Sequence, residues 1–405
     1  MTNVAAVPTS EDRSIAHRVA PVTITVTDHS GAPLADTEVT VEQTRHAFGF
    51  GNIGFSLIPL ANDEPHDESL ELEAAQYVEL FNITTLPFYW ARFEPVRGQP
   101  DTARLRRAAQ WFVDRGIPVK GHPLLWHTLA PPWLRDAPLD EVEATARARV
   151  TRDVTEFAGL VDLWDAINEV VIMPVFQAEP NAITRLAAVR GRVAMVRLAF
   201  ETARAANPAA RLVLNDFDLS ADYEHLIEEC LAAGIVIDAL GLQTHMHQGY
   251  QGEDHVISTV DRFARFGLPI QLTETTLVSG DLMPPHIVDL NDWQVQSWPS
   301  TPEGEDRQAD ELVRHYRSLV AHPAVESITY WGLSDKGAWL GAPAGLVRAD
   351  GTVKPSYEAL HDLVKRQWWL APTKVRTDAA GQMTLHAFPG DYRITHAGGS
   401  STATI

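Results

Sequence analysis

One cysteine, Cys230, occurs in 405 residues, so no intramolecular disulfide can form. Its setting in Leu226-Ile227-Glu228-Glu229-Cys230-Leu231 is helical, and the thiol reads as a small buried hydrophobe. No apolar run approaches the ~20 residues that a membrane-spanning helix needs. Residues Met1–Ser14 show no basic stretch followed by an apolar one, so no signal peptide is legible. With the free thiol and Met1, this leads to the expectation of a cytoplasmic protein, or a secreted one if a leader has been removed. Basic residues are in deficit, and the formal net charge is −20. That sign argues against a nucleic-acid partner, whose phosphates it would repel, and is compatible with a neutral, sugar-like substrate. No motif calls for a cofactor or a membrane partner.

What the chain does have is tryptophan, eleven in all. Core packing accounts for most tryptophans, yet flat aromatic faces also suit the apolar side of a pyranose ring. Strand-like apolar runs fall at roughly His46–Asn52, Asn82–Phe88, Pro118–Trp126, Leu160–Asn168, Arg211–Phe217, Ile237–Gln243, Pro269–Thr273 and Val325–Trp331. Helical patterns lie between them, among them Thr102–Arg115, Leu139–Gly159, Arg190–Ala206 and Glu305–Ala321. Strands alternating with helices imply a parallel sheet covered on both faces, and eight repeats suggest closure into an α/β (β/α)₈ barrel.

The two ends read differently. Thr23–Thr27 and Glu38–Glu42 alternate at period two around a turn at Asp28-His29-Ser30-Gly31, a hairpin signature. Short alternating runs recur at Thr373–Thr377, Met383–His386 and Tyr392–Thr395. The expected organisation is an N-terminal tail over 1–19 and a catalytic barrel over 45–371. A split accessory β-sandwich from 20–44 and 372–405 would sit on the N-terminal face of the barrel.

Two glutamates close barrel runs: Glu169 ends Leu163-Trp164-Asp165-Ala166-Ile167-Asn168-Glu169, and Glu274 ends Pro269-Ile270-Gln271-Leu272-Thr273-Glu274. Catalytic residues of such barrels stand at the C-terminal ends of strands. A facing pair of carboxylates there is the minimum apparatus for breaking a glycosidic bond. Around them the other strand ends supply Gly121-His122 with Trp126-His127, Asn215-Asp216-Phe217, Gln243-Thr244-His245 and Tyr330-Trp331-Gly332.

In this order, with Trp331-Gly332-Leu333-Ser334-Asp335-Lys336 and Trp339-Leu340 completing them, these motifs resemble glycoside hydrolase family 10, the retaining β-1,4-xylanases. The resemblance runs from about His46 to Val364. It implies Glu169 as general acid/base and Glu274 as nucleophile, with carboxyls ~5–5.5 Å apart. It also implies that Asn168 binds the sugar 2-hydroxyl, that His122 and Gln243 contact the same ring, and that His245 orients Glu274. Trp126 joins the substrate-binding set, and Trp331 and Trp339 wall the subsite where the bond breaks.

Departures from the family are as informative. Its usual Glu-Asn-x-x-Lys-Trp at strand two, which binds glycone sugars, is replaced by Leu86-Pro87-Phe88-Tyr89-Trp90. Loss of three polar ligands changes specificity, because a site discriminates by its hydrogen bonds. An apolar Pro87-Phe88-Tyr89 wall is expected in their place. Where the family continues Thr-Glu-x-Asp past the nucleophile, this chain has Thr276, so His245 is expected to find a different supporting partner. The segment from Thr275 to about Asp306 is long enough to be functional, with Trp293 and Trp298 either capping an aglycone or packing the loop down.

The activity implied is hydrolysis of β-1,4-xylan, xylo-oligosaccharides or a related β-glycoside. The alternative is removal of a sugar from a plant metabolite glycoside, as in tomatinase. Two readings of other classes are a non-catalytic sugar-binding barrel, opposed by the intact glutamates, and a metal hydrolase built on His122, His127, His245 and His247. The usual barrel metal site starts with His-x-His at strand one, whereas His245-Met246-His247 follows strand six.

Overall fold

A computed structural model of the chain describes residues 4–6 and 13–405. Eight parallel strands close a barrel: β1 (Gly49–Ile53), β2 (Ile83–Pro87), β3 (Val119–His122), β4 (Leu163–Asn168), β5 (Arg211–Asp216), β6 (Ala239–Met246), β7 (Ile270–Leu277) and β8 (Val325–Tyr330), with β8 pairing to β1. The principal surrounding helices are α1 (Glu68–Leu80), α2 (Thr102–Val113), α3 (Leu139–Glu156), α4 (Arg192–Ala206), α5 (Ala221–Ala232), α6 (Glu253–Ala264), α7 (Pro302–Val320) and α8 (Pro355–Asp362). The expected (β/α)₈ architecture is present. Among the described residues no helix is long and apolar enough to cross a membrane.

Local chemistry sets the elements. In α2, Leu105, Ala108, Ala109 and Phe112 are the buried positions, the i, i+3, i+4, i+7 stripe of a helix facing a sheet. Helix α7 starts where Thr301 accepts a hydrogen bond from Gly304 N at 3.0 Å, with Pro302 following and Glu303 and Glu305 in the first turn. At Gly121 a Cβ would lie 2.2 Å from the Trp164 ring, so only glycine lets β3 close onto that fully buried indole beside His122.

Several boundaries differ from the sequence reading. His46 belongs to a strand of the terminal sheets, Glu38–His46, and the barrel begins at Gly49. The helix expected over 190–206 is divided at Gly191, whose φ of 81° separates Ala182–Arg190 from α4. Strand β7 continues through Glu274 to Leu277 instead of ending beside it.

The terminal segments form two further sheets. In one, Ala20–Thr25 and Val4–Ala6 flank Gln382–Ala387; in the other, Glu38–His46 lies between Thr373–Arg376 and Gly390–His396, with Gly399–Thr404 at the edge. The hairpin expected between Thr23–Thr27 and Glu38–Glu42 is therefore not made. Its turn exists, with Asp28 Oδ1 accepting from Ser30 N and Ala32 N, but each strand pairs with C-terminal chain. Period-two burial (Met383, Leu385 and Ala387 inward) identifies a strand without naming its neighbour.

Of the expected tail, residues 1–3 and 7–12 lie outside the described residues, while Arg13–Arg18 forms a 3₁₀ helix. The Arg18 guanidinium donates to Val320 O (2.8 Å), His322 O (2.6 Å) and Val325 O (2.5 Å). Asn82, just ahead of β2, donates to His46 O and Phe48 O. Both attachments fall at the N-terminal ends of barrel strands, opposite the C-terminal rim. Arg18→Ala is accordingly expected to lower stability by about 1.5–3 kcal/mol, the scale of hydrogen bonds from a charged donor. Catalytic parameters should stay as they are, and a fall in kcat without a fall in the urea midpoint would contradict this placement.

Candidate active site

The two glutamates reach the rim by the same local device. Strand β4 shifts register against β5 between Asp165 and Ile167, and β7 shifts against β6 between Leu272 and Glu274. Such irregularities re-aim the side chains that follow them. Glu169 also takes a left-handed backbone, φ 55°, a conformation that L-residues with a Cβ adopt only under constraint. The constraint is visible: Glu169 N donates to Asn215 O and Asn168 N to Leu125 O, each at 2.9 Å.

Three amide side chains tie the carboxylates together. Asn215 Nδ2 donates to Glu274 Oε1 (3.1 Å) and to Asn168 Oδ1 (2.7 Å), while Thr273 Oγ1 donates to Asn215 Oδ1 (2.6 Å). Gln243 Nε2 donates to Asn168 Oδ1 (3.1 Å) and more weakly to Glu169 Oε1 (3.4 Å); Asn168 Nδ2 donates to that same oxygen at 3.1 Å. Trp126 Nε1–H bonds Glu169 Oε2 at 2.8 Å. Burial, then the negative charge of Glu274, drives the Glu169 pKa up to about 8 against the contrary pull of the Trp126 bond. Glu169 thus keeps a proton at neutral pH.

Glu274 is held by histidines. His245 Nε2 lies 3.1 Å from Oε2, and His122 Nε2 is 3.9 Å from Oε1. Behind His122, Asp165 Oδ2 sits 2.8 Å from Nδ1, and Lys120 Nζ pairs with Asp165 Oδ1 at 2.7 Å, all within the barrel interior. Burial alone would raise the Asp165 pKa, but the Lys120 charge and the His122 bond outweigh it and hold the group ionised. The carboxylate fixes His122 as an Nδ1–H donor. Lys120 and Asp165 are parts of the site that sequence reasoning passed over, although Asp165 stood inside a motif already noted.

Aromatic rings line the rest. Trp331 meets His122 edge-on at 5.3 Å between centroids and His245 at 6.1 Å, while Trp339, 37% exposed, lies 4.9 Å from His245. At strand two the expected three-residue apolar wall loses its middle member. Phe88 turns away from the site and is fully buried against Phe157 (4.9 Å) and Trp164 (4.7 Å). The alternation of a strand sends 86 and 88 outward to the helices and leaves Pro87 and Tyr89 inward. Tyr89 packs on His122 (5.7 Å), Trp126 (5.6 Å) and Phe55 (5.8 Å), and Phe55 meets Trp331 at 5.8 Å. Phe55, from the loop after β1, was invisible to motif reading.

Thr276 does stand beside His245, its Oγ1 3.3 Å from Nδ1. In the long loop, Trp298 Nε1 donates to Asp281 O (2.7 Å), and its ring is 6.1 Å from His247 and 6.2 Å from Trp293. Among the described residues no group of three or more His, Cys, Asp or Glu side chains is arranged to hold a metal ion.

The raised pKa has a thermodynamic cost with a defined sign. Unfolded Glu169 releases its proton near the ordinary 4.5, the folded residue near 8. Unfolding therefore releases a proton between those values, and stability falls as pH rises through that window. Glu169→Gln removes the penalty. Its Tm should exceed that of the unaltered protein by a few degrees at pH 8 and match it at pH 4; equal values at both pH would mean that Glu169 is not held protonated.

A family model described as glycosyl hydrolase family 10 matches residues 71–363. The chain is 25% identical over 330 residues to endo-1,4-beta-xylanase C of Paenibacillus barcinonensis, covering 71% of this chain and 29% of that protein. It is 24% identical over 381 residues to anti-sigma-I factor RsgI6 of Acetivibrio thermocellus (92% and 44%). To a beta-1,4-xylanase of Dictyoglomus thermophilum it is 26% identical over 279 residues (64% and 73%). It thus spans less than half the length of each of the first two relatives. Among solved structures, xylanase 10B from Thermotoga petrophila RKU-1 in complex with xylobiose superposes with a TM-score of 0.64 at 21% identity, over 79% of this chain and 95% of that one. With the family model covering most of the barrel that carries both glutamates, the chain belongs to glycosyl hydrolase family 10.

Proposed function

We propose that the protein is a retaining β-glycoside hydrolase acting by double displacement. One observation carries this reading. Two carboxyl groups joined by an amide network stand in contrasting surroundings, Glu169 driven to about 8 by burial and Glu274 facing two histidines. That contrast supports Glu169 as acid and Glu274 as nucleophile. In the first step Glu274 attacks the anomeric carbon while Glu169 gives its proton to the leaving oxygen, so the glycosidic bond breaks as the glycosyl–carboxylate ester forms. In the second, the Glu169 carboxylate takes a proton from water, whose oxygen displaces Glu274 and restores both groups. In this reading Asn168 binds the sugar 2-hydroxyl, His122 and Gln243 contact the same ring, and Trp331 and Trp339 wall the subsite.

Relatives named as xylanases support β-1,4-xylan or xylo-oligosaccharides as the substrate class. The cluster of Tyr89, Phe55 and Trp331 favours a shorter glycone, since it presents ring faces where a threaded xylan chain needs charged and amide ligands. A bond from a charged partner contributes about 1.5–3 kcal/mol and a neutral one about 0.5–1.5. Losing three costs orders of magnitude in kcat/KM on a polymer. A short aryl or metabolite β-glycoside is therefore the preferred substrate, and its turnover separates an enzyme from a sugar-binding barrel.

Two measurements test the proposal. Glu274→Ala should abolish turnover of an aryl β-glycoside, and azide should restore it with an α-glycosyl azide as product. An α-configured sugar released by the unaltered enzyme would show inversion and overturn the assignment. For specificity, kcat/KM on aryl xylosides, xylobiosides and glucosides should exceed that on xylan by at least about tenfold, roughly one lost hydrogen bond. A wide margin in favour of xylan would mean that other residues have replaced the strand-two ligands.

A further inference from the structure

Beyond the nucleophile, a line of hydrogen-bonding groups continues away from the cleft. His245 Nε2 is 3.1 Å from Glu274 Oε2, His245 Nδ1 is 3.3 Å from Thr276 Oγ1, and Thr276 Oγ1 is 3.4 Å from His247 Nδ1. Strands β6 and β7 supply alternate members: Thr276 pairs in register with His245, and both 245 and 247 turn to the same face because strand side chains repeat every second residue. We propose that Thr276 and His247 are positioning residues that fix His245 as its Nε2–H tautomer, aimed at Glu274.

The polarity of the line follows from its two ends. An ionised carboxylate only accepts, so the hydrogen between His245 and Glu274 belongs to Nε2. In a neutral ring, Nδ1 is then bare and accepts the single proton of the Thr276 hydroxyl. That oxygen is left to accept from His247, whose proton must lie on Nδ1, with Nε2 bare. At the far end His247 Nε2 is buried and meets no hydrogen-bond partner among the described residues. The rings of Trp339 (5.2 Å) and Trp298 (6.1 Å) close around it.

The reverse polarity would place an N–H in that apolar enclosure, where an unmet donor costs more than an unmet lone pair carried by a neutral ring. It would also make His245 an imidazolium. Burial depresses the His247 pKa to about 3, which keeps that ring neutral in the same arrangement. Facing His245 among the described residues are Glu274 and Thr276 from β7, His247 just past the end of its own strand, and Trp331 and Trp339 from beyond β8. Glu274 is the carboxylate paired with it among the described residues.

An aspartate at 276 would behave oppositely, accepting from Nδ1–H and drawing a second proton onto His245. With threonine the nucleophile faces a neutral donor instead of a cation. The consequence for catalysis rests on the reading of Glu274 as nucleophile; the tautomer itself does not. The test uses the full chain labelled with ¹⁵N-histidine, with His245 and His247 assigned from His245→Gln and His247→Gln. Long-range ¹⁵N–¹H spectra at neutral pH should show N–H at Nε2 and bare Nδ1 for His245, and the converse for His247. A proton on His245 Nδ1, or an imidazolium there at neutral pH, would overturn the proposal.

Kinetics gives a second readout. On an aryl β-glycoside, Thr276→Asp should move the acid limb of kcat/KM to lower pH, because an imidazolium stabilises ionised Glu274. Thr276→Val should lower kcat/KM by about tenfold, the scale of one hydrogen bond, and Thr276→Ser should restore it. Superimposable profiles for all three variants would refute the positioning role. Azide rescue of Glu274→Ala reports on the nucleophile separately, so a failure there leaves the spectroscopic result to stand or fall alone.

Discussion

Everything at the mouth of the barrel depends on the side-chain amide of Asn215. Its two N–H groups are divided between Glu274 and Asn168, its oxygen is held by Thr273, and its backbone carbonyl receives Glu169 N. One residue on β5 therefore fixes Glu274 on β7 and the strained backbone of Glu169 after β4. The neighbouring strand is shaped around it: a Cβ at Gly241 would come within 2.4 Å of Asn215 Oδ1. Two like charges in a desolvated cleft would repel, so Glu169 keeps its proton, while the Asn215 amide joins Glu274 to Asn168, which in turn donates to Glu169.

The sequence made the barrel and both glutamates legible because strand-end motifs are local. Asn168-Glu169 and Thr273-Glu274 each occupy adjacent positions on one strand, and their order along the chain is the order around the barrel. Features that depend on pairing at a distance were not legible. Ala20–Thr25 and Glu38–His46 look like partners because they are close in sequence, yet each pairs with residues more than three hundred positions away. Lys120 and Asp165 carry no motif for an ion pair inside a barrel; only the closure of β3 against β4 brings them together. Phe88 was misread because composition shows that a segment is apolar without showing which face each side chain takes. Thr276 was noted as a departure, and its geometry, not its identity, revealed a partner in His247.

Strand two also explains how a family frame survives such changes. The buried Arg149 of α3 donates to Leu124 O (2.5 Å), to Pro123 O (3.3 Å) and to Phe88 O, and pairs with Asp153, while Arg152 joins Asp153 to Glu94. These bonds hold backbone carbonyls at the ends of β2 and β3, and the guanidinium lies over the Trp90 ring (4.8 Å). The path of the chain is thus set independently of which residues occupy 86–89. Ligands can be exchanged for an aromatic ring at Tyr89 without moving His122 or Trp126.

The interleaving of the terminal strands has a consequence for synthesis. Glu38–His46 is made more than three hundred residues ahead of both its neighbours, Thr373–Arg376 and Gly390–His396. Until then its edges carry unpaired N–H and C=O groups, available to any other extended chain. The barrel can close behind it during translation, but the two terminal sheets can be completed only after it. A chain made only as far as the end of the barrel therefore has its catalytic rim in place while Glu38–His46 still waits for both neighbours, and the strands after 372 complete its sheet.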